Sequence, residues 1–398
     1  MKNIFKILTV FVSVLFVKQN TFAQAGTLDP TFGDGGLVVE NTYSSNSHSI
    51  VLADGKILLI GGNAGFSIDR FNPDGTYDES FGINGHISIS LNGKLWGPDY
   101  KTFSLLDDGR IVCATFYAPK SKHAIKDIAL LRLKPNGYLD SSFGINGYDT
   151  LELDIYTIAT GLVVQPDGKI VVSGNVQKNL YDEKRTFICR YMPDGGLDPT
   201  FGEGGIVVTT YDKAANSNSL VINSAGKLIR GGNYDLYNAH SLFILESFNP
   251  DGRIDESFGE NGVAKYVFGQ GQGGFWNTIM FMMAQQPDGK IVCTGESGQD
   301  EEISMAICRF NADGSVDASF GEGGGTIVPY NNTDAKAFEL CFQPDSKIIT
   351  LAGVYTYPFI GITLVRFSSS GQLDPSFGDN GISSVYNDTA HIGASSVH

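Results

Sequence analysis

One phrase recurs seven times along this chain of 398 residues: LDPTFGDGG from Leu28, YDESFGING from Tyr77, LDSSFGING from Leu139, LDPTFGEGG from Leu197, IDESFGENG from Ile254, VDASFGEGG from Val316 and LDPSFGDNG from Leu373. Phe32 and Phe377, in the first and last copies, lie 345 residues apart, a mean period of 57.5 residues. Self-similarity at such a period belongs to solenoids, propellers and arrays, and it excludes an ordinary unrepeated core. A second phrase stands between successive copies: ADGKILLIGG from Ala53, DDGRIVCAT from Asp107, PDGKIVVSG from Pro166, SAGKLIRGG from Ser224, PDGKIVCTG from Pro287 and PDSKIITLAG from Pro344.

Each unit reads as four short strands. Asp-Gly-Lys between two apolar runs signals a tight turn, because glycine supplies positive φ and the aspartate caps the turn through its side chain. In the third repeat Gly161–Val164 leads into the turn and Ile170–Val172 leads out. A further strand, Thr186–Tyr191, ends at Pro193-Asp194-Gly195, and the SFG phrase is expected to feed the first strand of the next unit, Gly205–Val208. No long window shows helical periodicity. The expectation is an all-β chain, a β-propeller of four-stranded antiparallel blades. A parallel β-helix is the rival, but its coils are shorter and lack paired hairpin turns. Six hairpin phrases predict six blades, with the surplus SFG segment at one terminus closing the ring on the blade begun at the other.

Residues 1–25 begin with Lys2 and Lys6, continue in an apolar run from Ile7 to Val17 and end in Ala23-Gln24-Ala25, the pattern of a secretory signal peptide. The expectation is therefore an exported chain, 26–398, forming one propeller domain at the cell surface, in the periplasm or secreted. The apolar run is too short for a membrane span. Without Lys2, Lys6 and Lys18 the chain holds 25 basic against 43 acidic residues, a formal charge of −18. Nucleic acid is excluded as a partner, because phosphate binding needs a basic footprint. Cys113, Cys189, Cys293, Cys308 and Cys341 fall at recurring strand positions and read as buried thiols, with Cys293 and Cys308 the one pair on neighbouring strands of a repeat.

The L-D-x-S/T-F-G-x-x-G phrase, followed by P-D-G-K-I-V-V-x-G and then R-F-x-P-D-G, resembles the bacterial delta-60 repeat over nearly all of Leu28 to Val385. The resemblance implies an exported β-propeller of a domain family without an assigned activity. The fourth repeat departs from the pattern, with Ser224-Ala225 for Pro-Asp and Ser247 for arginine.

Five arginines, Arg70, Arg132, Arg190, Arg309 and Arg366, each precede the aspartate of the SFG phrase by eight residues, at Asp78, Asp140, Asp198, Asp317 and Asp374. A constant offset across one turn predicts a structural pair in which a forked guanidinium meets a carboxylate. The alternative is a ring of arginines facing an anion in the channel. The phenylalanines of the phrase read as plugs between blades, beside glycines that permit close approach. The many Asp-Gly turns lack the full calcium-loop pattern, so no metal and no cofactor is expected.

Function is expected on the loops that differ between repeats, since variable loops on a rigid scaffold carry binding. Trp96, Tyr100, Tyr181, Tyr237, Trp276 and Tyr355 are the candidate ligand-binding residues; aromatics among acids and amides suit a glycan, a peptide or a protein partner. The expected molecule is a monomeric binding module. The competing class is a hydrolase or lyase acting on a glycan or lactone at the channel mouth. The histidines His48, His86, His123, His240, His391 and His398 are unrepeated and mostly assigned to loops, and no GxSxG or HExxH motif is present, so no catalytic residue is assigned.

Overall fold

The computed structural model describes residues 7–11, 27–40, 48–61, 65–91, 93–95, 102–119, 127–153, 156–177, 185–209, 215–235, 241–269, 276–299, 302–329, 334–356, 359–385 and 391–393. Six antiparallel blades form a ring, and no helix occurs among the described residues. Blade 3 shows the plan: Tyr156–Val164, Ile170–Gln177, Arg185–Tyr191 and Ile206–Thr209 pair in chain order. First strands of neighbouring blades touch one another, which places them innermost around the axis. Among the described residues no helix is long and apolar enough to cross a membrane.

The phase of the blade differs from the sequence expectation. The strand after the SFG phrase does not open the next blade. It returns antiparallel to the strand before the phrase, Ile188 opposite Val207, as the outermost strand of its own blade. The Asp-Gly-Lys turns therefore join first to second strands and the SFG connections join third to fourth, both on one face. The loops between second and third strands, and from fourth strands onward, leave from the other face. The repeated and variable faces stay as expected, but their strand assignments move by one.

Five of the junctions are continuous apolar layers shared by successive blades, such as Leu58, Ile68 and Phe81 with Phe103, Cys113 and Leu131. The junction between blades 6 and 1 is built differently. Phe32 packs with Ile57, Leu59 and Phe71 of blade 1, while Leu37 packs on the cluster of Ile349, Leu351 and Phe377 in blade 6. The surplus phrase thus wedges between the two ends of the ring without completing a blade, since five blades already own four strands and blade 2, whose innermost strand is split into Gly93–Leu95 and Phe103–Leu105, owns five. Its strand, Val38–Glu40, pairs with Ile7–Phe11, which in turn pairs in parallel with His391–Gly393.

The cysteines follow the core pattern. All five are free thiols and four are buried; Cys293 stands directly opposite Cys308 across two strands of blade 5.

Candidate functional site

On the repeated face six of the seven SFG phrases clasp a turn of the blade that follows them. The glycine N–H after the phenylalanine donates to a turn carbonyl one blade on: Gly82 to Asn136 at 3.1 Å, Gly144 to Asp194 at 2.7 Å and Gly202 to Asp251 at 2.9 Å. The phenylalanine lies against the glycine of that turn so tightly that a Cβ on Gly137 would stand 2.6 Å from the Phe81 ring. Only glycine fits such a gap, and its φ of +89° suits it as well.

The arginines lock this clasp. Arg70, Arg132, Arg190, Arg309 and Arg366 place Nε at 2.7, 2.8, 2.8, 2.7 and 2.9 Å from Oδ2 of Asp78, Asp140, Asp198, Asp317 and Asp374. Each guanidinium also lies 4.5 to 4.8 Å from the centre of its own SFG phenylalanine ring. Arg70, Arg132 and Arg309 reach further, to the carbonyls of Pro135 at 3.0 Å, Pro193 at 2.6 Å and Ser369 at 2.6 Å in the following blade. A lysine from the Asp-Gly-Lys turn adds a second cation, as with Lys169 at 3.2 Å from Asp198 and Lys290 at 2.8 Å from Asp317. Burial pushes the Asp198 carboxyl up, but hydrogen bonds from Thr200 and Lys169 and the Arg190 charge outweigh it and hold the group well below the usual range. At Asp140 the same opposition, with bonds from Ser142 and the Arg132 charge prevailing, leaves a pKa of about 2. These carboxylates stay ionised at any ordinary pH and serve as rivets.

Blade 4 keeps the rivet by other means. Ser247 Oγ donates to Asp255 at 3.2 Å, and Lys227 takes the ion-pair position on the same carboxylate. A fully buried guanidinium reappears from the neighbouring strand: Arg230 Nε lies 2.9 Å from Glu246 and its carbon 5.2 Å from the Phe248 ring.

The variable face carries the other candidates. Trp96, Tyr100, Tyr181 and Tyr237 lie outside the described residues. Trp276 opens the first strand of blade 5, Trp276–Gln285, opposite Gln299, and Tyr355 lies near the end of Ile348–Thr356 in blade 6, opposite Asp334. The fold therefore brings these two backbone positions to the variable-loop ends of adjacent blades.

Between the same two blades lies a feature that the sequence did not disclose. The first strands of blades 3, 4, 5 and 6 each carry a bulge, at Thr160, Asn218, Phe281 and Phe338. A bulge re-aims the extra side chain out of the strand's alternation. In blades 3 and 4 that side chain ties blades together: Thr160 Oγ1 donates to Ser217 Oγ at 3.1 Å, and Asn218 Nδ2 donates to the Met280 carbonyl. In blades 5 and 6 it is aromatic. The Phe281 and Phe338 rings are half-buried, 5.1 Å apart at 52°, and belong to none of the core clusters, although their strands line the axis. One strand over, the buried Glu296 meets Lys336 Nζ at 2.9 Å across the blade boundary. Burial pushes the Glu296 carboxyl above its usual range, against the lysine's hydrogen bond.

A third departure from the repeat lies in blade 1. Asp69 occupies a strand position filled by Leu131, Cys189, Cys308 and Val365 elsewhere and by Glu246 in blade 4, and His86 one filled by Tyr148, Ile206, Val263, Gly325 and Ile382. His86 is not on a loop: it opens the strand His86–Ile89, directly opposite Asp69. Comparing aligned repeat positions, rather than seeking motifs, is the signal that finds this pair. Among the described residues no three His, Cys, Asp or Glu side chains gather as a metal site.

Comparison with known proteins bears on the fold. Residues 52–81, 165–201, 286–320 and 343–377, in blades 1, 3, 5 and 6, match the family described as Domain of unknown function (DUF5122) beta-propeller. No curated protein matches. Among solved structures, an endo-arabinase from Bacteroides thetaiotaomicron VPI-5482 is 11% identical, with 73% of this chain and 96% of that one covered at a TM-score of 0.36. A protein of unknown function from Dyadobacter fermentans DSM 18053 is 12% identical over 79% and 93% at a TM-score of 0.42. A polysaccharide lyase, Uly1, is 9% identical over 96% and 88% at 0.44. At these values the likenesses carry no argument about activity.

Proposed function

We propose that the chain, four stretches of which match the DUF5122 β-propeller family, a family of unknown function, is an exported binding module whose ligand site lies at the variable-face end of blades 5 and 6. The observation that carries this reading is the Phe281–Phe338 pair, two large apolar rings half-exposed on innermost strands and used by no core cluster. Burying such rings in the core would have been favourable, and a matching pair left beside the axis suits stacking against an apolar face. Trp276 begins a strand and Tyr355 lies next to the end of one in the same two blades, and the Glu296–Lys336 ion pair supplies a charged edge. The chemistry fits a glycan or peptide segment with one apolar face and a hydrogen-bonding rim. The repeated face, occupied by rivets and clasps, has its polar groups committed to the fold.

The test is a thermal-shift screen of residues 26–398 against glycans, peptidoglycan fragments and peptides. A ligand that binds only the native state at one hundred times its Kd stabilises by about 2.7 kcal/mol. The expected result is a rise in Tm that Phe281→Ala and Phe338→Ala each abolish while the ligand-free protein stays folded. A rise unaffected by both substitutions would place the site elsewhere.

A further inference from the structure

Asp69, His86 and Ser88 form a relay on the outer sheet of blade 1. His86 Nδ1 is 2.6 Å from Asp69 Oδ1, and His86 Nε2 is 3.0 Å from Ser88 Oγ. Asp69 is 1% exposed, the His86 side chain 45%, and Ser88 is open to solvent. Strand geometry produces this arrangement. Residues two apart share one face of a strand, which aligns His86 with Ser88. Arg70 N–H donates to the Gly85 carbonyl at 2.8 Å, so Asp69 and His86, one step along the ladder, form a non-hydrogen-bonded pair, the type whose side chains stand closest.

The buried carboxylate fixes the imidazole tautomer. A carboxylate only accepts, so Nδ1 carries the proton and the lone pair of Nε2 faces the serine hydroxyl. A hydroxyl within hydrogen-bond reach of a base that is itself oriented by a third group is the signature of an activated nucleophile. The same ladder alternation turns the Ser88 N–H away from its partner strand, off the outer edge of the sheet, where no further strand pairs with it among the described residues. That N–H can receive charge developing on an acyl oxygen.

We propose that Ser88 is an acyl-accepting nucleophile and that this strand hydrolyses unhindered carboxylic esters, a second activity separate from the ligand site of blades 5 and 6. Ser88 Oγ attacks the ester carbonyl carbon while its proton passes to His86 Nε2 and the carbonyl electron pair moves onto oxygen. Collapse restores the carbonyl, breaks the bond to the alkoxy oxygen and hands that oxygen the proton from His86, releasing the alcohol. Water then attacks the acyl-serine, giving its proton to Nε2, and leaves as part of the carboxylic acid as Ser88 regains its hydrogen. Asp69 is a positioning residue: it holds the tautomer and touches no substrate. An exposed strand, unlike a deep pocket, suits small acyl groups such as acetyl esters.

The experiment uses residues 26–398 and a fluorophosphonate probe, with peptide mass spectrometry to locate the label and p-nitrophenyl acetate to follow turnover. Labelling is expected on Ser88, absent in Ser88→Ala, about 100-fold slower in His86→Gln and at least 10-fold slower in Asp69→Asn. Ser88→Ala and His86→Gln alter exposed or half-exposed side chains and preserve the fold, which the unfolding temperature checks. No label on Ser88 in the intact protein, or a rate unchanged in His86→Gln, would overturn the proposal, and neither result would touch the binding reading.

Discussion

Replacing Asp198 by asparagine tests whether the repeated Arg–Asp pair is a rivet. Asp198 receives Arg190 Nε at 2.8 Å, Lys169 Nζ at 3.2 Å, Thr200 Oγ1 at 2.6 Å and Thr200 N–H at 3.0 Å, and its side chain is 2% exposed. Asparagine keeps the shape and can still accept from Thr200, but its NH2 meets the Arg190 Nε–H donor to donor. The guanidinium, 6% exposed, is left without its counter-charge. Removing one partner of a buried pair costs about 3–5 kcal/mol. With an unfolding entropy of about 2.1 cal/mol/K per residue over 398 residues, that corresponds to a fall in Tm of about 4–6 °C. Thermal unfolding followed by circular dichroism reads the shift, with Asp345→Asn as control because Asp345 is 55% exposed and meets only Lys347 at 3.2 Å in its own turn. The control should move Tm by less than about 1 °C. High salt should leave the difference intact, since buried pairs are weakly screened. Equal Tm values for Asp198→Asn and the parent would refute the rivet reading.

Three further outcomes follow from the same geometry. Ser346 occupies the glycine position of the blade 6 turn at φ +65°, so Ser346→Gly should relieve about 1 kcal/mol of left-handed strain and raise the denaturant midpoint; an unchanged or lower midpoint would contradict it. The folded carboxyls of Asp78, Asp140, Asp198, Asp255, Asp317 and Asp374 are all depressed, so their stabilisation is complete above the unfolded value near 3.8 and is lost as pH falls through the folded values. For Asp140 that window runs from 3.8 to about 2 and is worth at most about 2.5 kcal/mol; stability measured between pH 5 and 2 should fall steadily, and a flat profile would show the pairs to be idle. Of the five thiols only Cys341 is other than buried, and burial pushes the Cys113 and Cys189 thiols up. A thiol reagent should therefore titrate at most one group in the native protein and five after denaturation, whereas fast reaction of several would mean an open core.

The blade count and the two faces were legible because a repeated phrase reports a repeated environment. The phase of the blade was not. The strand after the SFG phrase is adjacent in sequence to two blades, and only the ladder of Ile188 with Val207 decides which one owns it. The offset of eight between arginine and aspartate gave the rivet partners, but the reach of Arg132 to the Pro193 carbonyl is a contact between blades that no single repeat can announce. Phe281 sits in the apolar run Trp276–Gln285 and reads as core there; a bulge, invisible to alternation counts, turns it out. His86 reads as a lone histidine in the sequence because its meaning comes from Asp69, seventeen residues earlier and directly across the ladder.

The chain has two tryptophans, Trp96 and Trp276, so Trp96→Phe leaves Trp276 as the sole indole reporter at the variable-face end of blade 5. Fluorescence titration of this variant with a ligand from the thermal-shift screen tests the central claim most directly. The account predicts a saturable change in Trp276 emission, with the Kd measured by calorimetry, and its loss in Phe338→Ala. Calorimetric binding with unchanged Trp276 emission would put the ligand away from blades 5 and 6 and contradict the account.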